Sequence, residues 1–582
     1  MEDPPVLKTL RGQVDVDKAL ADDDNVLAQL RYPEQKKQFW GSLAARKAEI
    51  EAIVRAQLGI DWCHLCVMEI WKSGSFNVVM PLLVRGQKTA YFRLPLPYKA
   101  GEAEAPGNLD EKLRAEIATY IWLQEHCPDV PIPTLHGFGL SDGSSYTHPS
   151  NTPFVMRKMW EVWRWILSLL GRPVPTRYVR RRFRNPLESG YLILSQAEGD
   201  MLALSWEDHR HDKSYRERLF RGLANVAISM NRTPLPRIGS FIFNTNGCIT
   251  LSNRPLDLHF QMLENEGIPS GIPRQRTYAA VESYISDLLS FQDSKILNQP
   301  NAIHNKNDGE CQLAALTALR AIMHKFIRPE YREWPFFYTL SDLHQCNIFV
   351  DDQWNVQTII DLEWAYSKPI EMQLPPYWLT SRSVDSFYDD EAIAEYETVL
   401  NEYFDIYEAE EKRRNGFLLR GPTMRHVWES GSFWYFQAVS VPKGMYNLFS
   451  RHVQPRFNKQ HYTMDIFNEV FFWYWGFGAQ EVINKKLEDK ADYLVRLRAA
   501  YGCETEDVAS SITPQEQTAS AQDGQSGSAT QDIAPSVTSQ EQTPSAPGSA
   551  MEDVASSVTP QEQTPSAPQD GQSESPISDP KM

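Results

Sequence analysis

The apolar positions of the chain change period several times. Within residues 1–58, "VDKALADDDNVLAQL" and "SLAARKAEIEAIVRAQL" repeat apolar residues at three and four, which predicts surface helices leading into a fold. From residue 65 the period becomes two. "LCVMEIWKSGSFNVVMPLLVRGQKTAYFRLPLP" holds three strand-like runs broken by "KSGS" and "VRGQK", an antiparallel meander. "NLDEKLRAEIATYIWLQEH" (108–126) returns to helical spacing, with an acidic first turn and apolar Leu113, Ile117, Ile121 and Leu123. "TLHGFGL" and "YLILSQ" (191–196) read as further strands. Between them lies an insertion, 141–190, and beyond "EGDMLALSW" the pattern is chiefly helical to about residue 500.

This order predicts an α+β chain with a small β-rich lobe (59–197, insertion included) and a larger helical lobe (198–503). A helical extension (1–58) precedes them, and a low-complexity tail (504–582) follows. After Tyr501 there is no aromatic residue, and "EDVASSITPQEQTASAQDGQS" returns as "EDVASSVTPQEQTPSAPQDGQS". Such repeats have no apolar face to stack and cannot offset the entropy of ordering, so the tail is expected to be disordered.

Charge changes the picture little. Thirteen acidic residues and one lysine lie beyond residue 503, so the tail carries −12 of the formal −17. A nearly balanced body exerts no general pull on nucleic acid, and none is expected as a partner. The basic run "RYVRRRFR" (177–184) reads as a solvated loop or a set of internal ion pairs. Seven scattered cysteines, an odd number, argue against a disulfide framework and for a reducing, cytoplasmic setting. No apolar run is long enough to span a bilayer. "MWEVWRWILSLLG", in the insertion, has the residues for peripheral membrane contact, but a buried helix is the expectation.

Candidate chemistry concentrates in "LSDLHQCNIFVDDQWNVQTIIDLEW" (340–364). "NIFV" and "VQTIID" flank a turn-rich "DDQWN" and predict a hairpin. Pairing would bring Asn347 at its entrance and Asp361 at its exit to about 5 Å. An amide oxygen and a carboxylate so placed suit a small divalent cation, which binds together with substrate phosphates. Magnesium with a nucleotide is the natural occupant. Asp342, five residues before Asn347, is placed to accept a hydrogen bond from a substrate hydroxyl and aim it at phosphorus. Taken singly, the three are a turn cap, a left-handed loop residue and a strand end; their order favours a site.

These residues resemble the catalytic and metal-binding core of the aminoglycoside phosphotransferase and choline kinase group, and in particular its fungal phosphotransferase-like members. The resemblance covers about residues 60 to 500 and implies a two-lobed, protein-kinase-like fold with ATP and Mg2+ as cofactors. It implies that Asp342 is the catalytic aspartate, that Asn347 and Asp361 are metal ligands, and that Glu363 is the acidic residue of "IDxE". "KSGSFN" would be a reduced phosphate-covering loop, where Gly74 and Ser75 admit the nucleotide close to the backbone. Arg93 in "YFRLP" would take the α- and β-phosphates with Glu116 as its ion-pair partner; otherwise the two are a surface pair worth under about 1 kcal/mol. Backbone groups from Ser195 to Ala197 would meet adenine at the hinge. "PPYWLTSRSVD" and "WESGSFWYFQAV" are expected to be core of the helical lobe.

Departures stand out at three positions. Leu340 replaces the usual histidine and Ser341 the usual Gly or Thr, while Arg93 puts a planar fork where lysine puts a point charge. The readings are therefore a small-molecule phosphotransferase, a nucleotide-binding or scaffold protein impaired in turnover, and a choline-type or lipid-associated kinase. The sequence assigns neither the acceptor nor the oligomeric state. "CHLC" (63–66) has half of a zinc spacing but no second pair, so core cysteines are expected. His209 and His211 sit in a polar loop, and His344 is expected to position its loop.

Overall fold

The computed structural model describes residues 6–85, 88–181, 185–187, 189–457 and 464–503. The tail 504–582 and Arg182, Phe183 and Arg184 of the basic run lie outside them. The described chain forms the two-lobed α+β arrangement expected. A hairpin of β1 (Val6–Thr9) and β2 (Gly12–Asp15) precedes the first lobe. The lobe's strands are β3 (Cys63–Leu65), β4 (Lys72–Ser73), β5 (Asn77–Val84), β6 (Lys88–Pro95), β7 (Leu135–Gly139), β8 (Ser145–Thr147), β9 (Val179–Arg181) and β10 (Tyr191–Ser195). They form one sheet in the order β3-β5-β6-β10-β7-β8-β9, with β4 pairing on β5 and every pairing antiparallel. Arg93 sits mid-sheet, opposite Val79 on one side and Leu192 on the other.

The Asn108–His126 helix follows β6 as its spacing predicts, yet it is enclosed nearly all round. Besides Leu113, Ile117, Ile121 and Leu123 it buries Glu111, Lys112, Arg114 and Glu116. Buried charges must be paired, and these meet partners brought from both lobes.

β10 runs into the second lobe through residues 196–199 and short β11 (Asp200–Met201). β11 pairs with β15 (Ile348–Val350), which pairs with β16 (Val356–Ile359); this is the expected hairpin, with Ile348 opposite Ile359. The chiefly helical expectation for the region after β11 left out two strand pairings. "FIFNTNGCITLSN" makes a hairpin of β12 (Ser240–Phe243) and β13 (Ile249–Asn253), and β14 (Phe336–Leu340) pairs with β17 (Ala365–Pro369). β-branched and aromatic alternation around an Asn-Gly turn outweighs the neighbouring helical pattern. Helices elsewhere pack a core that includes Trp378, Phe433, Trp434 and Phe436, so the two aromatic segments expected to be core are buried.

Two further expectations change. The first 58 residues do more than lead into the fold. The Lys47–Leu58 helix buries Ile50, Ile53 and Val54 against the sheet, and Gln57 donates to the Tyr191 hydroxyl at 3.1 Å. Ala19 and Val26 pack on Tyr493, Leu497 and Tyr501 of the Ala479–Ala500 helix and its C-terminal cap. The other change concerns the helix of the insertion, Phe154–Leu169, which was expected to be buried; none of its residues is.

Candidate active site

Strand pairing closes the 340–364 stretch on itself. Leu340 faces Ala365 across β14 and β17, and the Ser341 amide and hydroxyl both donate to the Trp364 carbonyl at 2.8 Å. The loop inside is pinned by side chains. Trp378 Nε1 donates to the Leu343 carbonyl at 2.8 Å, and His344 Nδ1 accepts from the Cys346 amide at 3.3 Å. Asn347 Nδ2 donates to the Asp342 carbonyl at 2.8 Å and lies 3.3 Å from His344 Nε2. His344 therefore holds the loop, and its Nε2 stands 3.7 Å from Asp342 Oδ1. The hairpin returns the chain: the Ile360 amide donates to the Asn347 carbonyl at 3.0 Å, and Asp361 follows in the left-handed region at φ 62°. A non-glycine residue held there costs roughly 1–2 kcal/mol, which the surrounding contacts must offset.

Those contacts come from the β lobe. Arg93 Nη2 donates to Asp361 Oδ1 and, at 3.0 Å, to Glu363 Oε2; its Nε lies 3.2 Å from Glu116 Oε1. Glu363 Oε2 also accepts from Lys112 Nζ and, at 2.6 Å, from Asn77 Nδ2, while Lys112 Nζ reaches Asn77 Oδ1 at 2.9 Å. Phe76, in the loop that holds Gly74 and Ser75, packs edge-on against Trp364 with ring centres 5.0 Å apart. Gly74 and Ser75, in that loop, are exposed.

Charge within the cluster is unequal: Glu116, Asp361 and Glu363 stand against Arg93 and Lys112. Carboxylate oxygens of the three acids lie within 4.8 Å of one another, and Glu363 Oε1 is buried with no hydrogen-bond partner among the described residues. With all three carboxyls ionised the enclosed cluster has an excess of one negative charge, and with an orphaned oxygen it suits a cation, oxygen donors of this kind suiting a hard one. Asn347 Oδ1 accepts no hydrogen bond among the described residues.

The imbalance shows in proton affinities. Burial raises the Asp342 carboxyl well above its ordinary range, and repulsion from Asp361, Glu363 and Asp257 adds to it. Burial also pushes at Asp361, but Arg93 outweighs it and holds this carboxyl below the usual value. Glu116 is pushed up to about 7 by burial, against the pull of Arg93. Burial depresses the His344 imidazole in spite of Asp361, so it is neutral near pH 7.

At the hinge, β10 ends at Ser195, whose amide donates to the Thr134 carbonyl at 3.0 Å and whose hydroxyl accepts from the Thr134 amide at 2.9 Å. Glu198 is fixed to Thr358 of β16 in both directions, at 2.9 and 3.0 Å. Between these anchors the Ala197 backbone makes no hydrogen bond among the described residues. It offers one donor and one acceptor to a planar ligand edge.

The structure thus brings Asp361, Glu363 and Glu116 onto Arg93, ties Asn347 to the Asp342 backbone, leaves Gly74 and Ser75 exposed in the loop next to Phe76, and sets Ser195 and Ala197 at the lobe junction. It adds residues that the sequence did not single out. Lys112 lies one helical turn before Glu116, and that spacing was the available signal. Asp257 presses on Asp342, accepts from the Tyr366 hydroxyl at 3.1 Å, and is held down at about 2, His259 outweighing its burial. Elsewhere Cys63 is buried in β3 and Cys66 half-buried, both free thiols, and His209 stacks on Tyr215 at 4.4 Å.

No family model matches the chain, and no curated protein does. Among solved structures, the chain is similar to an aminoglycoside phosphotransferase, APH(2″)-IIa, in a ternary complex with streptomycin and ATP. That match has 9% identity and a TM-score of 0.34, covering 69% of this chain and 96% of that one. It is also similar to the ADP-bound aminoglycoside phosphotransferase APH(2″)-Ib (9%, 0.34, 76% and 99%) and to the macrolide 2′-phosphotransferase MphH of Brachybacterium faecium (12%, 0.29, 72% and 100%). At such values the likeness carries no weight for function.

Proposed function

We propose that this chain is an ATP- and magnesium-dependent phosphotransferase that moves the γ-phosphoryl group to a hydroxyl or amine of a small molecule. One observation carries the reading: Arg93, from the middle of the β sheet, bonds the carboxylate of Asp361 at the hairpin exit while standing against Glu116 of the enclosed helix. A cation for phosphates, an oxygen ligand for a metal and the pair that aligns them converge on the lobe junction. Asp342 accepts the acceptor's proton, and a carboxyl with raised proton affinity suits that role. Asp361 and Asn347 would hold magnesium with Glu363 behind them, and the bound ion supplies charge neutralisation for the β- and γ-phosphates. Ala197 meets the adenine edge. Seven free thiols accord with a cytoplasmic setting.

The test is ADP release from ATP and magnesium across a panel of amino-sugars, amino-alcohols and simple alcohols. Asp342→Asn is expected to lose about 10²- to 10⁴-fold in turnover while still binding ATP. Unchanged turnover would remove Asp342 from the chemistry. A second reading, nucleotide binding without transfer, is favoured by the double engagement of Arg93 with Asp361 and Glu363, which phosphates must displace. Tight ATP binding with no acceptor turned over would support it.

A further inference from the structure

The Phe154–Leu169 helix is amphipathic with its faces reversed. It joins β8 to β9 at the edge of the sheet and holds on by its more polar side. Trp160 Nε1 donates to the Thr176 carbonyl at 3.1 Å and Arg164 Nε to the Pro175 carbonyl at 2.8 Å. At about 100° per residue, Val155, Met159, Val162, Ile166 and Leu169 share a stripe roughly opposite those anchors. The stripe faces water: Val155, Met159 and Leu169 are 67%, 68% and 66% exposed, and Trp165 beside them 62%. A helix of a folded domain ordinarily turns such a stripe inward.

Charge selects what covers it. In a chain of formal charge −17, the segment from Phe154 to Arg181 has one acid, Glu161, already paired with Lys158 at 2.6 Å. Against it stand Arg157, Lys158 and Arg164 in the helix and Arg172, Arg177 and Arg180 after it; Lys158, Arg172 and Arg180 are exposed. A second copy would set these cations against their own kind. The acidic tail, with no aromatic residue, matches the charge but not the stripe. An anionic bilayer matches both, with headgroup phosphates for the cations and an acyl boundary for Val, Met, Leu and Trp. No helix of the described chain is long and apolar enough to cross a membrane.

We propose that the Phe154–Leu169 helix lies in the surface of an anionic membrane and docks the β lobe there. The proposal is independent of the phosphotransferase reading. The test is co-sedimentation of the full chain with vesicles of phosphatidylcholine alone and of phosphatidylcholine with phosphatidylserine. Partition into the mixed vesicles is expected, with less into the neutral ones and less as salt rises. The double variant Val155→Glu/Val162→Glu is expected to lose about tenfold in partition without a change in melting temperature, both side chains being in water. Lys158→Glu/Arg172→Glu, which spares the stripe, is expected to remove the preference for phosphatidylserine. The proposal is overturned if the parent chain stays in the supernatant with both vesicles, if the stripe variant pellets as the parent does, or if the parent is a dimer that the stripe variant dissociates.

Discussion

Asp361 and Glu116 both meet one guanidinium, and Arg93 treats them differently. It holds Asp361 below the usual carboxylate range, whereas Glu116, deeper and facing two other acids, rises to about 7. The sign of the consequence follows from linkage. Between about 4.5 and 7 the folded protein keeps a proton on Glu116 that the unfolded chain releases, so this residue's contribution to stability falls as pH rises through that window. The melting temperature of Glu116→Gln relative to the parent should therefore improve from pH 5 to pH 8; a difference flat in pH would show that Glu116 is ionised throughout. Asp361 itself was legible as a chemical position but not as a strained one, because a left-handed backbone at φ 62° leaves no mark in "IIDLEW". Asp361→Asn, which keeps a side chain tolerant of that conformation, is expected to fold and bind ATP but to need more magnesium for half-maximal turnover. An unchanged magnesium requirement would remove Asp361 from the metal site.

At the scale of elements, what could be read depended on whether a segment's partner was local. The 348–359 hairpin and the Asn108–His126 helix follow from alternation, turn residues and an acidic first turn within the segment itself. The same helix hid Lys112, because "DEKLR" looks like a solvated face and its partner Glu363 lies 251 positions away. The Phe154–Leu169 helix was misread for a related reason: periodicity reports that a helix has an apolar face, not what the face meets. The lobe junction gives a test at this scale. Gly199 has φ +86°, and a Cβ there would stand 2.6 Å from the Val350 carbonyl oxygen. Gly199→Ala should cost at least about 1–2 kcal/mol by chemical denaturation and weaken ATP binding by displacing Ala197. A loss of stability with unchanged ATP affinity would place the adenine edge elsewhere.

Across the whole molecule, the first 58 residues bind both lobes. Tyr32 accepts from Asn265 Nδ2 at 2.8 Å and its ring lies 6.3 Å from Tyr98, while the Val26 amide donates to the Tyr493 hydroxyl at 3.0 Å. Tyr493→Phe leaves that buried amide unpaired and should cost about 1–3 kcal/mol locally. The expected readout is faster tryptic cleavage at Lys18 and Arg31 with an unchanged midpoint for the rest; equal cleavage rates would mean that the contact holds nothing in place. The same contact joins residues 467 positions apart, which has a consequence for biosynthesis. Ribosomes extend a chain toward higher residue numbers, so Ala19 and Val26 wait in water, apolar and uncovered, until the Ala479–Ala500 helix has emerged. A segment made long before the helix that covers it is thus among the last to find its place, and during that wait it is a natural client for a chaperone.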